Sequence, residues 1–218
     1  MSSDLTSLLQ PIPGDAPAGA SARYDPVFLR LEAEIAKLGA IDGSPVDWTQ
    51  VANDATEILT STSKDLLAAV YLGRAWYQLH GAAGLRDGLT VIADVVTTYW
   101  DAGFPPLARL RARRAALQWL SDGLGGMPTD TDPAMVEATL QVVDQINDHL
   151  QPHFDDGDTG LNGLRNALRQ LLNPGASEKS SRTSPKNAGT QTFASAASSP
   201  SAGGVAIDRE EAMRCLQT

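Results

Sequence analysis

Apolar residues recur at three- and four-residue steps through most of this chain, and prolines and glycines interrupt the pattern. The first such stretch follows Asp25-Pro26 and carries Phe28, Leu31, Ile35 and Leu38. This spacing places the apolar side chains on one face of an α-helix. Asp is a good helix cap, and Pro fits the first helical position. With seven such stretches and no strand-like alternation between turns, the sequence predicts an all-α helical bundle.

The same signals set the expected order of the helices. The first helix ends at Gly39, Asp47 opens the second, and Ser63 caps a third that runs to about His80. Glycine permits backbone conformations that break a helix. Breaks at Gly81 and Gly84 are therefore expected to separate the third helix from a fourth ending near Trp100. The remaining three are expected at 107–124, from Asp132-Pro133 to Pro152, and from Asp158 or Thr159 to Leu171.

Composition divides the chain into four parts. Residues 1–24 contain three prolines and are expected to form an extended N-terminal arm. Residues 25–174 form the all-helical domain. Residues 175–206 consist mainly of Ala, Ser, Thr, Gly and Pro, and such a segment is expected to be a disordered linker. Residues 207–218 resemble the start of a second helical domain that is cut short. The chain is therefore expected to be a fragment or a short variant.

Charge and cysteine content argue against a nucleic-acid-binding protein and against a disulfide-linked secreted protein. The 218 residues carry a formal net charge of -9, so binding to nucleic acid is not expected. Residues 1–174 hold 22 acidic and 12 basic residues, which places the negative excess in the helical domain. The single cysteine allows no internal disulfide, and no signal peptide or long apolar span is present. A cytoplasmic protein without direct membrane insertion is expected.

No set of residues suited to catalysis or cofactor binding stands out. His149 and His153 are four residues apart, but Pro152 between them should end the helix that a metal pair would need. Asp156 and Asp158 lie in a loop without the spacing of a calcium site. We therefore expect no catalytic residues, no metal and no cofactor, and the protein is not expected to be an enzyme.

An ordered series of short motifs carries a family resemblance. In order they are SLLQPIPGDAPAG (Ser7–Gly19), RYDPVF (Arg23–Phe28), DW (Asp47–Trp48), SKDLLAAVYLGRAW (Ser63–Trp76), GAAGLRDGL (Gly81–Leu89), YWDAGFPP (Tyr99–Pro106) and RRAALQWL (Arg113–Leu120). In order and spacing they resemble the N-terminal domain of the ImpA family, the TssA proteins of bacterial type VI secretion. The resemblance covers roughly the first half of the chain.

The resemblance implies a non-enzymatic assembly and adaptor role. Members of the family help recruit baseplate, tube and sheath components of the secretion machine, and a variable C-terminal domain forms rings. A full-length protein is then expected to be a ring-forming homo-oligomer, whereas this chain alone is expected to be a monomer or small oligomer. The alternative is a generic helical protein–protein interaction module unrelated to secretion.

Two groups of residues are singled out for structural or binding roles. The tryptophans are expected in the core, and they are Trp48, Trp76, Trp100 and Trp119. Four arginines fall within a stretch of six residues in an otherwise acidic domain: Arg109, Arg111, Arg113 and Arg114. Of these, Arg113 is expected to form a structural ion pair with Asp65 or Asp101. For Arg109 and Arg111, two interpretations remain open: they contact an acidic partner, or they are solvated charges without a binding role.

Overall fold

Seven α-helices occur in the part of the chain that the computed structural model describes, which is residues 2–41, 43–124 and 131–173. They are α1 (Ser2–Leu8), α2 (Pro26–Ala36), α3 (Trp48–Ser61), α4 (Leu66–Thr98), α5 (Leu110–Gly123), α6 (Pro133–Leu150) and α7 (Asn162–Leu172). Short 3-10 turns occupy Lys37–Gly39, Leu107–Arg109 and Gln151–His153. No strand occurs in these ranges, and the all-α class is confirmed.

Aspartate side chains begin several of the helices, as their positions before proline predict. Asp25 accepts a hydrogen bond from the Val27 backbone N–H at 2.8 Å, and Asp132 accepts one from Ala134 at 3.1 Å. The expectation that Ser63 caps a helix was wrong. The Ser63 backbone N–H donates to the Ile58 carbonyl and so closes α3, and Asp65 caps α4 instead.

Helix α4 is a helical hairpin, not one straight rod. Gly81 has φ 62° and ψ -142°, a left-handed conformation that interrupts the helix. A Cβ placed on Gly88 would lie 2.4 Å from the Cα of Gly73. Fifteen residues of straight helix would separate these positions by about 22 Å. The two halves of α4, 66–80 and 82–98, therefore run back along each other, which confirms the predicted break at Gly81.

The N-terminal arm differs from the extended segment that its prolines predict. It begins with α1, and its buried side chains, Leu8, Ile12, Ala18 and Ala22, lie against the rest of the domain. The prolines come only after α1 has ended, so they do not prevent that helix from forming. The arm is thus an integral layer of the fold.

The core is centred on the hairpin of α4, which packs against α3, α5 and α6. Helix α2 covers α3, and α7 covers α6 and α5. All described residues belong to one compact unit, Met1–Pro174. No helix in the described ranges combines the length and the apolar character needed to cross a bilayer. The predicted linker 175–206 and the predicted second helical start 207–218 lie outside the described residues.

Candidate functional site

Three of the seven family motifs meet at one place in the fold, which we call the junction: residues 18–20, 63–66 and 103–105. The Lys64 backbone N–H donates to the Ala18 carbonyl at 2.9 Å, on the side of the arm. On the other side, the Leu66 N–H donates to the Phe104 carbonyl at 2.7 Å. Segments that are distant in sequence are therefore joined by backbone hydrogen bonds to one short linker between α3 and α4.

Gly19 is required at the junction because the two backbones nearly touch there. Its φ is +72°, and a Cβ at this position would lie 2.1 Å from the Thr62 carbonyl oxygen. No side chain fits in that space. The glycine of the first motif thus allows the arm to approach the end of α3.

The buried side chain of Lys64 connects the junction to the end of α1. Its side chain is fully buried, and Nζ donates to the Leu8 carbonyl at 2.7 Å. Nζ also lies 5.5 Å from the centroid of the Tyr99 ring. Burial lowers the pKa of Lys64, and the nearby Asp94 carboxylate opposes that shift. This charge serves the attachment of the arm and is not available to a partner.

Arg113 is buried at the junction, but the predicted ion pair does not form. It is 2% exposed, and its guanidinium donates to the carbonyls of Pro105 at 2.6 Å, Trp100 at 2.5 Å and Gly103 at 2.7 Å. Neither Asp65 nor Asp101 lies within salt-bridge distance of it. Three loop carbonyls converge on the guanidinium, so that each of its three nitrogens has an acceptor without a carboxylate.

The two acids act on Arg113 only at longer range. Burial lowers the pKa of Arg113, and attraction from Asp65 and then Asp101 opposes the shift. Asp65 is buried and accepts hydrogen bonds from the Leu67 and Ala68 N–H groups at 2.8 and 3.4 Å. Its role is to cap α4. Burial raises the pKa of Asp65, and these two hydrogen bonds oppose that rise.

The tryptophans divide into two pairs. Trp76 and Trp100 are buried, as predicted, and the ring of Trp100 lies 4.3 Å from the Arg113 Cζ. Trp48 and Trp119 are only half-buried and line the edge of the core, so placing them inside the core was wrong. Both rings contact the guanidinium of Arg74.

Arg74 is a residue that sequence reasoning missed. Its Cζ lies 5.8 Å from the centroid of the Trp48 ring and 5.0 Å from that of the Trp119 ring. Its Nε is buried and has no acceptor. Burial lowers its pKa. One signal could have identified it: Arg74 is the only charged residue between Leu66 and Trp76.

The arginines at the start of α5 line a surface groove of about 600 Å³. We call it the arginine groove; its lining is Ala108, Arg109, Leu110, Arg111, Arg114, His153, Phe154, Asp155 and Asp156. Arg109 and Arg111 are exposed, and within the described ranges neither has an acceptor at hydrogen-bond or salt-bridge distance. The structure therefore places both predicted contact residues in one concave surface.

One side of the arginine groove is held by an ion pair. Arg114 Nη1 lies 2.6 Å from Asp156 Oδ2, and its guanidinium lies 4.8 Å from the centroid of the Phe154 ring. The hydrogen bond from Arg114 lowers the pKa of Asp156. The sequence did not indicate this pair, because 42 residues separate its members.

The two histidines lie beside the junction. Helix α6 ends at Leu150, before Pro152, as predicted. The rings of His149 and His153 lie 5.7 Å apart, and that of His153 lies 5.0 Å from the Trp100 ring. Within the described ranges, no group of three or more potential His, Cys, Asp or Glu ligands is close enough to hold a metal.

Comparisons with known proteins place this chain in a family. The model described as "ImpA, N-terminal, type VI secretion system" matches residues 9–122. The "Type VI secretion system component TssA1" of Pseudomonas aeruginosa PAO1 is 34% identical over 112 residues, which are 48% of this chain and 32% of that relative. The chain thus matches about a third of the length of the curated relative.

A solved structure shows the same fold. It is the "N-terminal domain including the conserved ImpA_N region of the TssA component of the type VI secretion system from Burkholderia cenocepacia". The likeness has a TM-score of 0.58 at 20% identity, and it covers 82% of this chain and 94% of the other. The family model spans more than half of the chain, and with the TssA1 relative it places the chain among secretion components, not among unrelated helical modules. The chain belongs to the ImpA N-terminal family, the TssA components of the type VI secretion system.

Proposed function

We propose that this domain is a non-enzymatic adaptor that binds another protein of the type VI secretion machine in the cytoplasm. The candidate partners are baseplate, tube and sheath proteins. Family membership supports a place in the machine. The observation that supports the adaptor role is the arginine groove, in which two arginines are exposed and have no acceptor in the described part of the chain.

The charge of the groove indicates the kind of surface it binds. Residues 1–174 hold 22 acidic and 12 basic residues, so most of the domain surface repels an acidic partner. The groove has the opposite balance, since Arg109, Arg111 and Arg114 outnumber Asp155 and Asp156 there. An acidic surface of a secretion component would therefore dock at the start of α5. In the whole protein, ring formation by other domains would present several such grooves together.

The test is a pull-down of purified baseplate, tube and sheath proteins of the same machine by the 218-residue chain. The double variant Arg109→Glu/Arg111→Glu should weaken binding of the retained partner about three- to tenfold, because exposed charge pairs contribute ~0.2–1 kcal/mol each. Its salt dependence should also decrease. Arg165→Glu/Arg169→Glu makes the same charge change on α7 but also breaks the ion pairs of both arginines with Asp144; if circular dichroism shows it folded, it should leave binding within twofold of the unmodified chain.

Two outcomes would refute parts of this proposal. If none of the secretion proteins is retained at low salt, the domain is not an adaptor for them. If the two double variants weaken binding equally, the effect is general repulsion and the groove is not the contact. Sedimentation of the same sample should give a monomer or small oligomer. A large closed ring would place oligomerisation within this chain.

A further inference from the structure

Arg74 is unusual among the arginines of the described part of the chain. Every other buried or half-buried arginine there has an oxygen partner: Glu32 for Arg23, Asp87 for Arg86, three carbonyls for Arg113, Asp156 for Arg114 and Asp144 for Arg165. Arg74 is half-buried and has none. Withdrawing an arginine from water without an acceptor costs free energy.

The surroundings of Arg74 bury its Nε but leave the two outer nitrogens, Nη1 and Nη2, not fully buried and without a hydrogen-bond acceptor in the described part of the chain. The Trp48 and Trp119 rings lie within 5.8 and 5.0 Å of its Cζ, and Trp119 is in turn held by an edge contact with Tyr71 at 5.2 Å. Aromatic contacts of this kind leave the N–H groups of an arginine available. Of its nitrogens, only Nε is buried without a partner.

Gly123 makes room for this arrangement at the end of α5. A Cβ at position 123 would lie 1.1 Å from Arg74 Nη1, so any side chain there displaces the guanidinium. The negative end of the α5 dipole also favours a cation at this place. The position of Arg74 is thus defined by two indole rings and one glycine, but not by an acceptor.

We propose that Arg74, Trp48 and Trp119 form a binding site for a carboxylate, the side chain of an Asp or Glu in a peptide segment of a partner protein. A carboxylate accepts two parallel hydrogen bonds from a guanidinium and carries one negative charge. Within the described ranges, Arg74 is the only cation over either indole ring. A single positive charge matches a carboxylate better than a doubly charged phosphate. The indole rings contact the apolar atoms beside the carboxylate.

This site is separate from the arginine groove. The groove lies at the start of α5 and Gly123 at its end, about 18 Å along the helix. The site does not depend on the proposed adaptor contact at Arg109 and Arg111, and the two can fail independently.

The experiment titrates the 218-residue chain with acetyl-Leu-Glu-Leu-amide and follows the indole N–H signals of its four tryptophans by NMR. The signals of Trp48 and Trp119 should shift and saturate, and those of Trp76 and Trp100 should not. Acetyl-Leu-Gln-Leu-amide has the same shape without the charge and should bind at least about tenfold more weakly. A phosphoserine peptide of the same length should bind no more tightly than the glutamate peptide.

Two variants distinguish binding from folding. Gly123→Ala keeps Arg74 but displaces its guanidinium, and it should weaken binding of the glutamate peptide at least about tenfold with an unchanged or higher melting temperature. Arg74→Met should abolish binding without lowering the melting temperature, because it removes an unpaired half-buried charge. Arg169→Gln removes one exposed positive charge on α7, outside both surfaces; it is the control and should bind the peptide like the unmodified chain.

The proposal is overturned if the glutamate and glutamine peptides shift the Trp48 and Trp119 signals equally, or if neither shifts them. It is also overturned if Gly123→Ala binds normally. Tighter binding of the phosphoserine peptide would assign the site to phosphate instead. A folded Arg74→Met variant with a clearly lower melting temperature and normal binding would show that Arg74 only supports the fold.

Discussion

Two neighbouring arginines of α5 show how differently the junction and the arginine groove use the same side chain. Arg113 is buried at the junction and donates to three loop carbonyls, whereas Arg111 is exposed in the groove and has no acceptor in the described part of the chain. Three of the seven family motifs contribute residues to the junction, and a fourth contributes Arg113, which bonds its carbonyls. Similarity in these motifs therefore indicates a shared fold. The surface that binds a partner is expected at other residues.

The largest expected effect tests whether Arg113 is structural. Arg113→Met should lower the free energy of unfolding by about 4–5 kcal/mol, because three buried carbonyls lose a charged donor. Urea unfolding followed by circular dichroism measures this. The matched control, Arg111→Met, removes the same charge two residues away and should change stability by less than about 0.5 kcal/mol. Equal losses of unfolding free energy in the two variants would show that Arg113 contributes no more to stability than Arg111.

A smaller effect tests the backbone contact at the junction. Gly19→Ala should lower the free energy of unfolding by about 1–3 kcal/mol more than Gly14→Ala. Both glycines have positive φ, +72° and +119°, so both variants carry backbone strain. Only position 19 faces the Thr62 carbonyl, and position 14 has no atom within 4 Å of the new Cβ. Thermal melts of the two variants, compared side by side, isolate the contact. If the two variants melt at the same temperature, attachment of the arm does not depend on the close approach of Gly19 to the Thr62 carbonyl.

The smallest effect concerns the ion pair at the groove. The hydrogen bond from Arg114 holds the pKa of Asp156 below its ordinary value of 3.8, so the pair stabilises the fold above that value and its contribution is lost as the pH falls through the lowered pKa. Arg114→Gln should raise the pKa of Asp156, measured by NMR titration of its carboxyl carbon. Arg111→Gln should leave that pKa unchanged. An Asp156 pKa that is the same in both variants would show that the pair does not persist in solution.

The errors of sequence reasoning about the site have a common cause. Arg113 was expected to pair with Asp65 or Asp101, but its partners are loop carbonyls from three positions of a segment without regular structure. Trp48 and Trp119 were placed in the core because they lie at helical positions among apolar residues. In the structure both rings are half-buried, and each contacts Arg74 of another helix. Such contacts have no local pattern in the sequence.

The sequence by itself determined the features that depend on neighbouring residues. Asp25-Pro26 and Asp132-Pro133 begin α2 and α6, and Gly81 breaks α4, because capping and backbone conformation are local. The tertiary structure alone decided which segments meet. It placed Gly73 against Gly88, the arm against the linker between α3 and α4, and Arg74 between two indole rings. The physical reason is that packing selects among many possible long-range contacts, and only the assembled core makes one set of them favourable.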